Sequence, residues 1–593
     1  MAGLSSSPKV PADKDYAQDG SVDLKGNPVL RSERGGWFAC YFIVVYEFFE
    51  RMAYYGIASN LVLYLTRELH QGTVASANNV TYWVGTTFLM PVLGAFVADV
   101  YLGRYWTYLI SAALYFTGMC LVTVAVSVRS LRPPPCNVHG NEATAECKPT
   151  STLQLAVFFS ALYIIAFGSG GTKPNVATIG ADQFDDFDPR ERTHKISFFN
   201  WWFLSTFLGS LFAHVFLVFI QDNVGWSVGY GIPTAGLFLS ILIFLAGTPF
   251  YRHKKVHGSP LTQMARVLVA ATRKWSVTVP ENLVQLHELN HHKLRILPTN
   301  SLRFLNKAAV KVVGQMRTRW MLCTVTEVEE TKQMLRLFPI WIASLIPASI
   351  AAQTHTLFVK QCTTLDRHIG KHFQIPPASF ATSVTIAMIV TTFLYDRYFV
   401  KIMKKYTANP RGITLLQRIG FGFFLHIVAM LVASLTENRR LRVARDLGLV
   451  QSGKEVIPRT IFMLLPQFAL VGVADSFTIV GMMDLCYSQA PESMKSLGTS
   501  YSLTSYGIGN FLSSVLLSSV SNITVKFGAR KGWILNNLNA SHLDYYYALL
   551  LLLSFFNFLF FLCVSKLYVY KAEVFDQEVE EDCSAYADKV IGA

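Results

Sequence analysis

Residues 105–128 read Tyr-Trp-Thr-Tyr-Leu-Ile-Ser-Ala-Ala-Leu-Tyr-Phe-Thr-Gly-Met-Cys-Leu-Val-Thr-Val-Ala-Val-Ser-Val. None of these side chains is charged, and a helix needs about 20 apolar residues to cross a bilayer. The stretch therefore reads as a membrane span. Working outward from it, comparable uncharged runs lie at 71–98, 149–172, 196–221, 223–251, 337–359, 372–395, 419–436, 496–525 and 545–565. Two more, 37–66 and 460–483, are apolar but interrupted by charge, which makes twelve in all. Composition agrees: 52% of the 593 residues are hydrophobic and 15% are charged. An average soluble protein is about 25% charged. This chain cannot build an aqueous surface, so soluble-enzyme and disordered classes are excluded. The net charge of +14 belongs to loops that set topology and meet anionic headgroups, not to nucleic acid. Nine cysteines at irregular spacing give no zinc or redox pattern, and neither a metal nor a cofactor is expected.

The runs divide six and six. Residues 36–251 form an amino-terminal bundle and 337–570 a carboxy-terminal one; the polar, basic stretch 252–336 between them is expected to be a cytosolic linker. Two bundles with a long connection place a site between them. Residues 1–35 are polar, with no signal-peptide pattern, and are expected to be a disordered cytosolic tail. Residues 571–593 are acidic and read as a solvated cytosolic tail. An even number of spans puts both termini on one side, and the basic linker favours the cytosol. Arg439, Arg440, Arg442 and Arg445 argue the other way, since a loop after the ninth span would lie outside. The sequons at Asn522 and Asn539 would lie outside too, as glycosylation requires. Cys136 and Cys147 share another outside loop, bridged or free.

A charge at mid-bilayer costs about 2.5–3.5 kcal/mol, so ionisable residues inside spans are functional candidates. The first span holds three. Glu47 and Arg51 are four residues apart and Glu47 and Glu50 three, so both carboxylates and the guanidinium share a face. One acid would suffice for an anchoring pair; the second points to proton handling. Lys173 ends the fourth span in Gly-Ser-Gly-Gly-Thr-Lys-Pro, where glycines allow close helix approach. It is set to counter a carboxylate on the first span or on a substrate, or to snorkel to the interface. Asp475 is the clearest acid in the second half. Tyr54 and Tyr55 are placed to line a polar cavity, and His355 is a candidate substrate contact. Asp99, Gly103 and Arg104 fall in a short loop and read as a conformational latch. Lys332 and Arg336, one turn apart at the start of the seventh span, read as interfacial snorkelling residues, with Lys332 a gating candidate.

These residues also carry a resemblance. Glu47-Phe-Phe-Glu50-Arg51 with Tyr54-Tyr55-Gly56 resembles the ExxER signature of the proton-coupled oligopeptide transporters. Residues 94–104 resemble the loop signature of the major facilitator superfamily. Gly170-Gly-Thr-Lys-Pro174, Gly180-Ala-Asp-Gln-Phe-Asp185, Phe198-Phe-Asn-Trp201 and the 489–498 stretch make the chain similar to the fifth subfamily of the plant nitrate/peptide transporters. The resemblance implies an all-α major facilitator fold of twelve helices in two six-helix bundles, alternating access and proton symport. Glu47, Glu50, Arg51 and Lys173 match the family's proton-coupling positions. Asp475 falls where peptide-transporting relatives carry a glutamate that meets the peptide amino terminus. Several positions depart from the family: Thr206-Phe207 replaces Ile-Asn, Thr81 and Ala58 replace a His and an Arg, and Ala351 replaces the His of nitrate transporters.

The expected function is proton-coupled symport of small peptides. The first alternative is proton-coupled transport of nitrate or another small anion; the second is a transport-inactive membrane receptor. The carboxylate at 475 favours an amine-bearing substrate, and the second acid with Lys173 disfavours the receptor. No nucleophile elbow, zinc-protease motif or phosphate loop suggests an enzyme. The partners are a small-molecule substrate, protons and the lipid bilayer. The membrane expected is the plasma membrane, with the vacuolar membrane as the alternative.

Overall fold

In lipid every backbone N–H and C=O must be paired within the segment, so apolar runs become helices. The computed structural model describes residues 16–134, 149–185, 187–254, 258, 260–280, 286–287, 299, 301–311, 320–407, 412–450, 456–491, 494–527 and 532–568. Cys136, Cys147 and the 571–593 tail lie outside the described residues. The first half comprises α1 (Gly36–Ala58), α2 (Leu61–Arg67), α3 (Thr73–Val97), α4 (Gly103–Ser127), α5 (Thr152–Ala181), α6 (Pro189–Phe212), α7 (Val218–Asn223) and α8 (Trp226–Ala246). The connection carries α9 (Pro260–Arg273). The second half comprises α10 (Val325–Arg336), α11 (Phe338–Ala343), α12 (Leu345–Ala351), α13 (Leu357–Cys362), α14 (Thr382–Leu394), α15 (Val400–Thr407), α16 (Leu415–Asp446), α17 (Leu465–Gln489), α18 (Lys495–Phe527) and α19 (Leu543–Leu567).

Among the described residues, nine helical stretches are long and apolar enough to cross a membrane, and a tenth span, 325–362, bends by 46° at residue 344. One of the nine, Thr73–Ser127, is 55 residues long. At about 1.5 Å per residue it covers two hydrocarbon cores of about 30 Å. It divides at a π turn over Ala98–Leu102, where Gly103 takes a φ of 75° that a side chain would strain. The charges of α1 set it apart from the nine. With these two adjustments the twelve expected crossings are present.

The bundles meet along α3 and α18. A Cβ on Gly85 would sit 2.9 Å from the Gly507 carbonyl oxygen, so this seam depends on two bare backbones. Glycines 168, 170 and 171 do the same work for α5. Gly170 lies against Met90 on α3, and Gly168 against Tyr115 on α4.

Four expectations are corrected. Residues 16–35, expected to be disordered, are folded from Tyr16 onward. The buried Arg252 side chain donates to the Arg34 carbonyl at 2.7 Å and to Glu191 at 2.8 Å; Arg31 pairs with Asp188 at 2.9 Å; Val22 hydrogen-bonds His253. A low local apolar content was outweighed by these charged contacts. The 252–336 stretch is more than a linker. Helix α9, a 3₁₀ turn at Arg303–Ala309 and α10 enclose an apolar cluster around Val267, Leu305 and Val328. Lys332 does not snorkel. It is fully buried and donates to Glu329 at 2.6 Å and to the Thr299 carbonyl at 2.9 Å. The cause is the capping box of Thr324 and Glu327, which starts α10 inside this folded unit, so the first turns of the bent span are surrounded by protein.

Finally, Arg439 to Arg445 form no loop: α16 runs on to Asp446. Arg440 is fully buried, bidentate to Glu437 at 2.7 and 2.8 Å, and donates to Asn539 at 2.7 Å. Its charge therefore does not count toward topology, and Asn539 is spent on the fold. Arg440→Ala would leave Glu437 buried without its cation. It should lower stability by about 3–5 kcal/mol, read by chemical unfolding in mixed micelles. A loss below about 1 kcal/mol would show that water reaches the pair.

Candidate functional site

Helix α1 presents Glu47, Glu50 and Arg51 inward because their spacing places them on one face. Arg51 Nε lies 2.6 Å from Glu47 Oε1 and 3.3 Å from Glu50 Oε2. The Glu47 carboxylate also accepts from the Thr206 hydroxyl at 3.1 Å. Glu50 is 1% exposed, and neither of its oxygens makes a hydrogen bond among the described residues. Lys173, delivered by the close packing of α5, is 8% exposed and its ammonium likewise has no hydrogen-bond acceptor. It rests on the faces of Tyr54 at 4.2 Å and Phe88 at 4.7 Å. A desolvated cation–π contact is worth about 2 kcal/mol, and it leaves the three N–H donors of the ammonium unused.

Two carboxylates, one guanidinium and one ammonium sum to zero when all are ionised. Protonating one carboxylate leaves a surplus positive charge. Arg51 already has Glu47, so the surplus falls on Lys173. The arrangement can hold a proton on Glu50 and, in doing so, free an ammonium for an anionic group.

The facing wall comes from the other bundle. Asp475 on α17 is 7% exposed, with Oδ1 3.2 Å from His426 Nε2. Between the walls lies an aromatic layer. Tyr54 stacks on Trp83 at 5.6 Å, Phe88 meets Tyr506 across the seam at 4.8 Å, and Tyr54 meets Tyr55 at 5.0 Å. Tyr55 and Tyr506 both lie within electrostatic reach of Asp475.

His355 sits in a 3₁₀ turn, Ala352–His355, that interrupts the bent span, and its Nδ1 has no hydrogen-bond partner among the described residues. It faces His214 electrostatically; His214 lies in a π turn, Ala213–Leu217, and its ring is 5.3 Å from Tyr55. Breaks of this kind recur where helices line functional cavities.

The structure thus brings Glu47, Glu50, Arg51, Lys173, Tyr54 and Tyr55 together, with Asp475 and His355 from the second bundle. The remaining candidates lie elsewhere. Arg104 pairs with Asp182, not Asp99, on the face that carries the connection, where Lys254 joins Asp182 at 3.6 Å. Lys332 is in the folded connection. On the far face the bundles are tied together. Asp222 pairs with Arg67 at 2.8 Å and with Arg367 of the second bundle at 3.8 Å; Asn78 donates to Ser518 at 2.7 Å.

Sequence reasoning missed His214, His426, Trp83, Phe88 and Tyr506, and it treated Thr206 only as a missing amide. A signal existed for the histidines. Each stands in an otherwise uncharged run, 196–221 and 419–436, at bilayer depth.

Comparison with known proteins adds the lineage. Residues 105–534 match the family model PTR2, the POT family. Protein NRT1/PTR FAMILY 5.2 of Arabidopsis thaliana is 58% identical over 95% of this chain and 96% of its own length. NRT1/PTR FAMILY 5.3 of the same plant is 54% identical over 94% and 95%. Among solved structures, an auto-inhibited POT family peptide transporter superposes with a TM-score of 0.65 at 18% identity, covering 91% of this chain and 98% of that one. That likeness establishes the fold. The full-length identity to the plant proteins establishes descent: this multi-pass membrane chain is a transporter of the POT family, in the fifth subfamily of its plant NRT1/PTR branch.

Proposed function

We propose that the chain carries small peptides together with protons by alternating access. The carrying observation is the pair of facing charges: an ammonium without an acceptor, Lys173, on one bundle, and a carboxylate, Asp475, on the other. A peptide has a carboxylate and an ammonium to offer them. Structural neighbours are named as peptide transporters, one of them in complex with a thioalcohol-conjugated peptide.

In the cycle we envisage, a proton binds Glu50. Arg51 remains with Glu47, and Lys173 is released to take the substrate carboxylate, while Asp475 takes the amino terminus. Tyr54, Tyr55 and His355 line the cavity. Reopening to the other side lets Glu50 lose its proton and Lys173 return to it, which expels the carboxylate. One charge moving down 100 mV yields about 2.3 kcal/mol, roughly fiftyfold accumulation. Asp99, Gly103 and Arg104, with the Asp182 pairing, would act as a latch on the connection face, and Lys332 would gate by anchoring the connection to the seventh span. The membrane would be the plasma membrane. The second reading is a small anion such as nitrate, favoured by the same unpartnered ammonium.

Glu50→Gln should abolish uphill, proton-driven uptake of labelled dipeptide while retaining exchange. Accumulation at the parental level would remove Glu50 from coupling. Lys173→Ala should abolish transport with the protein still at the membrane; normal uptake would make the residue structural. Asp475→Asn separates the substrates. A charge-assisted hydrogen bond is worth about 1.5–3 kcal/mol, so peptide affinity should fall roughly ten- to a hundredfold. Amino-acetylated peptides should be poor substrates of the parent. Unchanged peptide uptake with improved nitrate uptake would overturn the peptide reading in favour of the anion.

A further inference from the structure

His426 lies on α16 and Asp475 on α17, and these helices pack against each other. The imidazole is 1% exposed. Its hydrogen-bond geometry fixes one of its protons. Nδ1 is 2.9 Å from the Gly422 carbonyl oxygen, which only accepts, so Nδ1 must donate. Nε2 is 3.2 Å from Asp475 Oδ1. A neutral ring protonated at Nδ1 offers a lone pair at Nε2, and an ionised carboxylate offers only lone pairs. Two acceptors do not face each other at hydrogen-bond distance in a buried site. One hydrogen therefore lies between Nε2 and Oδ1, whichever of them it is bonded to.

We infer that His426 and Asp475 form a one-proton carrier in the carboxy-terminal bundle, which exchanges its proton for the ammonium group of a substrate. This rests on the peptide reading and deepens it by giving Asp475 a proton to release. When an ammonium arrives, one N–H donates to Oδ1 and a second donates to the Nε2 lone pair. The hydrogen that lay between them leaves as a proton to solvent. Only that N–H or O–H bond breaks. The carrier passes from neutral to −1, the ammonium brings +1, and the departing proton carries +1 away, so charge is conserved. A bare anion has the opposite effect, since it holds the proton in place.

The surroundings allow this. Among the described residues, His426 is the one group hydrogen-bonded or ion-paired to the Asp475 carboxylate. Tyr55 from α1 and Tyr506 from α18 lie within electrostatic reach of it. Helices α12 and α14 carry no ionisable side chain. On α19, Asp544 and Tyr547 turn toward Glu437 and Arg440, about three turns along α16 from His426. Arg418 and Asp484 interact with Tyr395, near the other end of the same helices.

His426→Gln keeps an N–H for Asp475 but cannot titrate. Calorimetry of the full chain in lipid nanodiscs, in buffers of different ionisation enthalpy, counts protons released as L-alanyl-L-alanine binds. The parent should release about one proton more per dipeptide than His426→Gln, and equal counts overturn the carrier. Absence of dipeptide binding counts against the peptide reading alone, and a ligand-free measurement then decides. In acid–base infrared difference spectra, the carboxyl band of residue 475 is identified by its loss in Asp475→Asn. The band should lie at a different frequency in the parent and in His426→Gln, because the hydrogen shared with Nε2 alters the carboxyl bonding. Identical bands overturn the proposal. If His426→Gln does not elute as a single species, His426→Asn replaces it in both measurements.

Discussion

Arg51 is shared between two buried carboxylates that have almost no access to water. Much of the first bundle can be read as the consequence. Two acids and one guanidinium leave an uncompensated charge, and burying that charge is costly unless another cation approaches. Lys173 is that cation, and it reaches the cluster because α5 is drawn against α3 and α4. The contacts that draw it in are backbone to backbone: Gly170 on Met90, and Gly168 on Tyr115. The glycine-rich run before Lys173 and the paired acids on α1 are therefore one device, although about 120 residues separate them.

The same helix connects the cluster to the closed face. Helix α1 leads through Ser59 and Asn60 into α2. Asn60 donates to Gln221 at 3.0 Å, Gln221 donates back to the Gly56 carbonyl at 2.8 Å, and the next residue, Asp222, holds Arg67 and Arg367. The site and the far-face ion pairs thus share a continuous, hydrogen-bonded element. On the opposite face the ties differ in kind. Among the described residues, the amino-terminal segment, Arg252, Glu191, Asp185 and Asp188 form ion pairs that knit the first bundle to itself.

Two kinds of buried ionisable side chain can be distinguished among the described residues. In one, each partner is fully engaged: Arg440 with Glu437 and Asn539, Lys332 with Glu329 and Thr299, Arg252 with Glu191 and backbone carbonyls. These are costly to break and fix the geometry of loops and helix ends. In the other, an ionisable atom is buried with bonding capacity to spare: Glu50, Lys173 and His355. Unused capacity is what a transported proton or substrate can occupy. By the same criterion Asp475 belongs between the groups, because its one partner is itself titratable.

The sequence alone determined the number of spans, the division into two halves and the α1 charge cluster. Apolar length is a local property, and a helix dictates which of its own residues share a face, so Glu47, Glu50 and Arg51 could be placed without neighbours. The glycine run also read correctly as a close-packing signal. What only the tertiary structure decided is who pairs with whom across the chain. Arg439 to Arg445 looked like a basic loop, and Lys332 looked like a snorkelling residue. Whether a charge meets lipid, water or a carboxylate depends on where its helix begins and ends in space. Residues 16–35 looked too polar to fold, because their partners at 185, 188 and 252–253 are remote. His426 and Asp475 are 49 positions apart, on helices whose relative rotation no local pattern encodes. The short range of a hydrogen bond is the physical reason: a shift of a few ångströms between two helices makes or removes it, and packing of the whole bundle sets that shift.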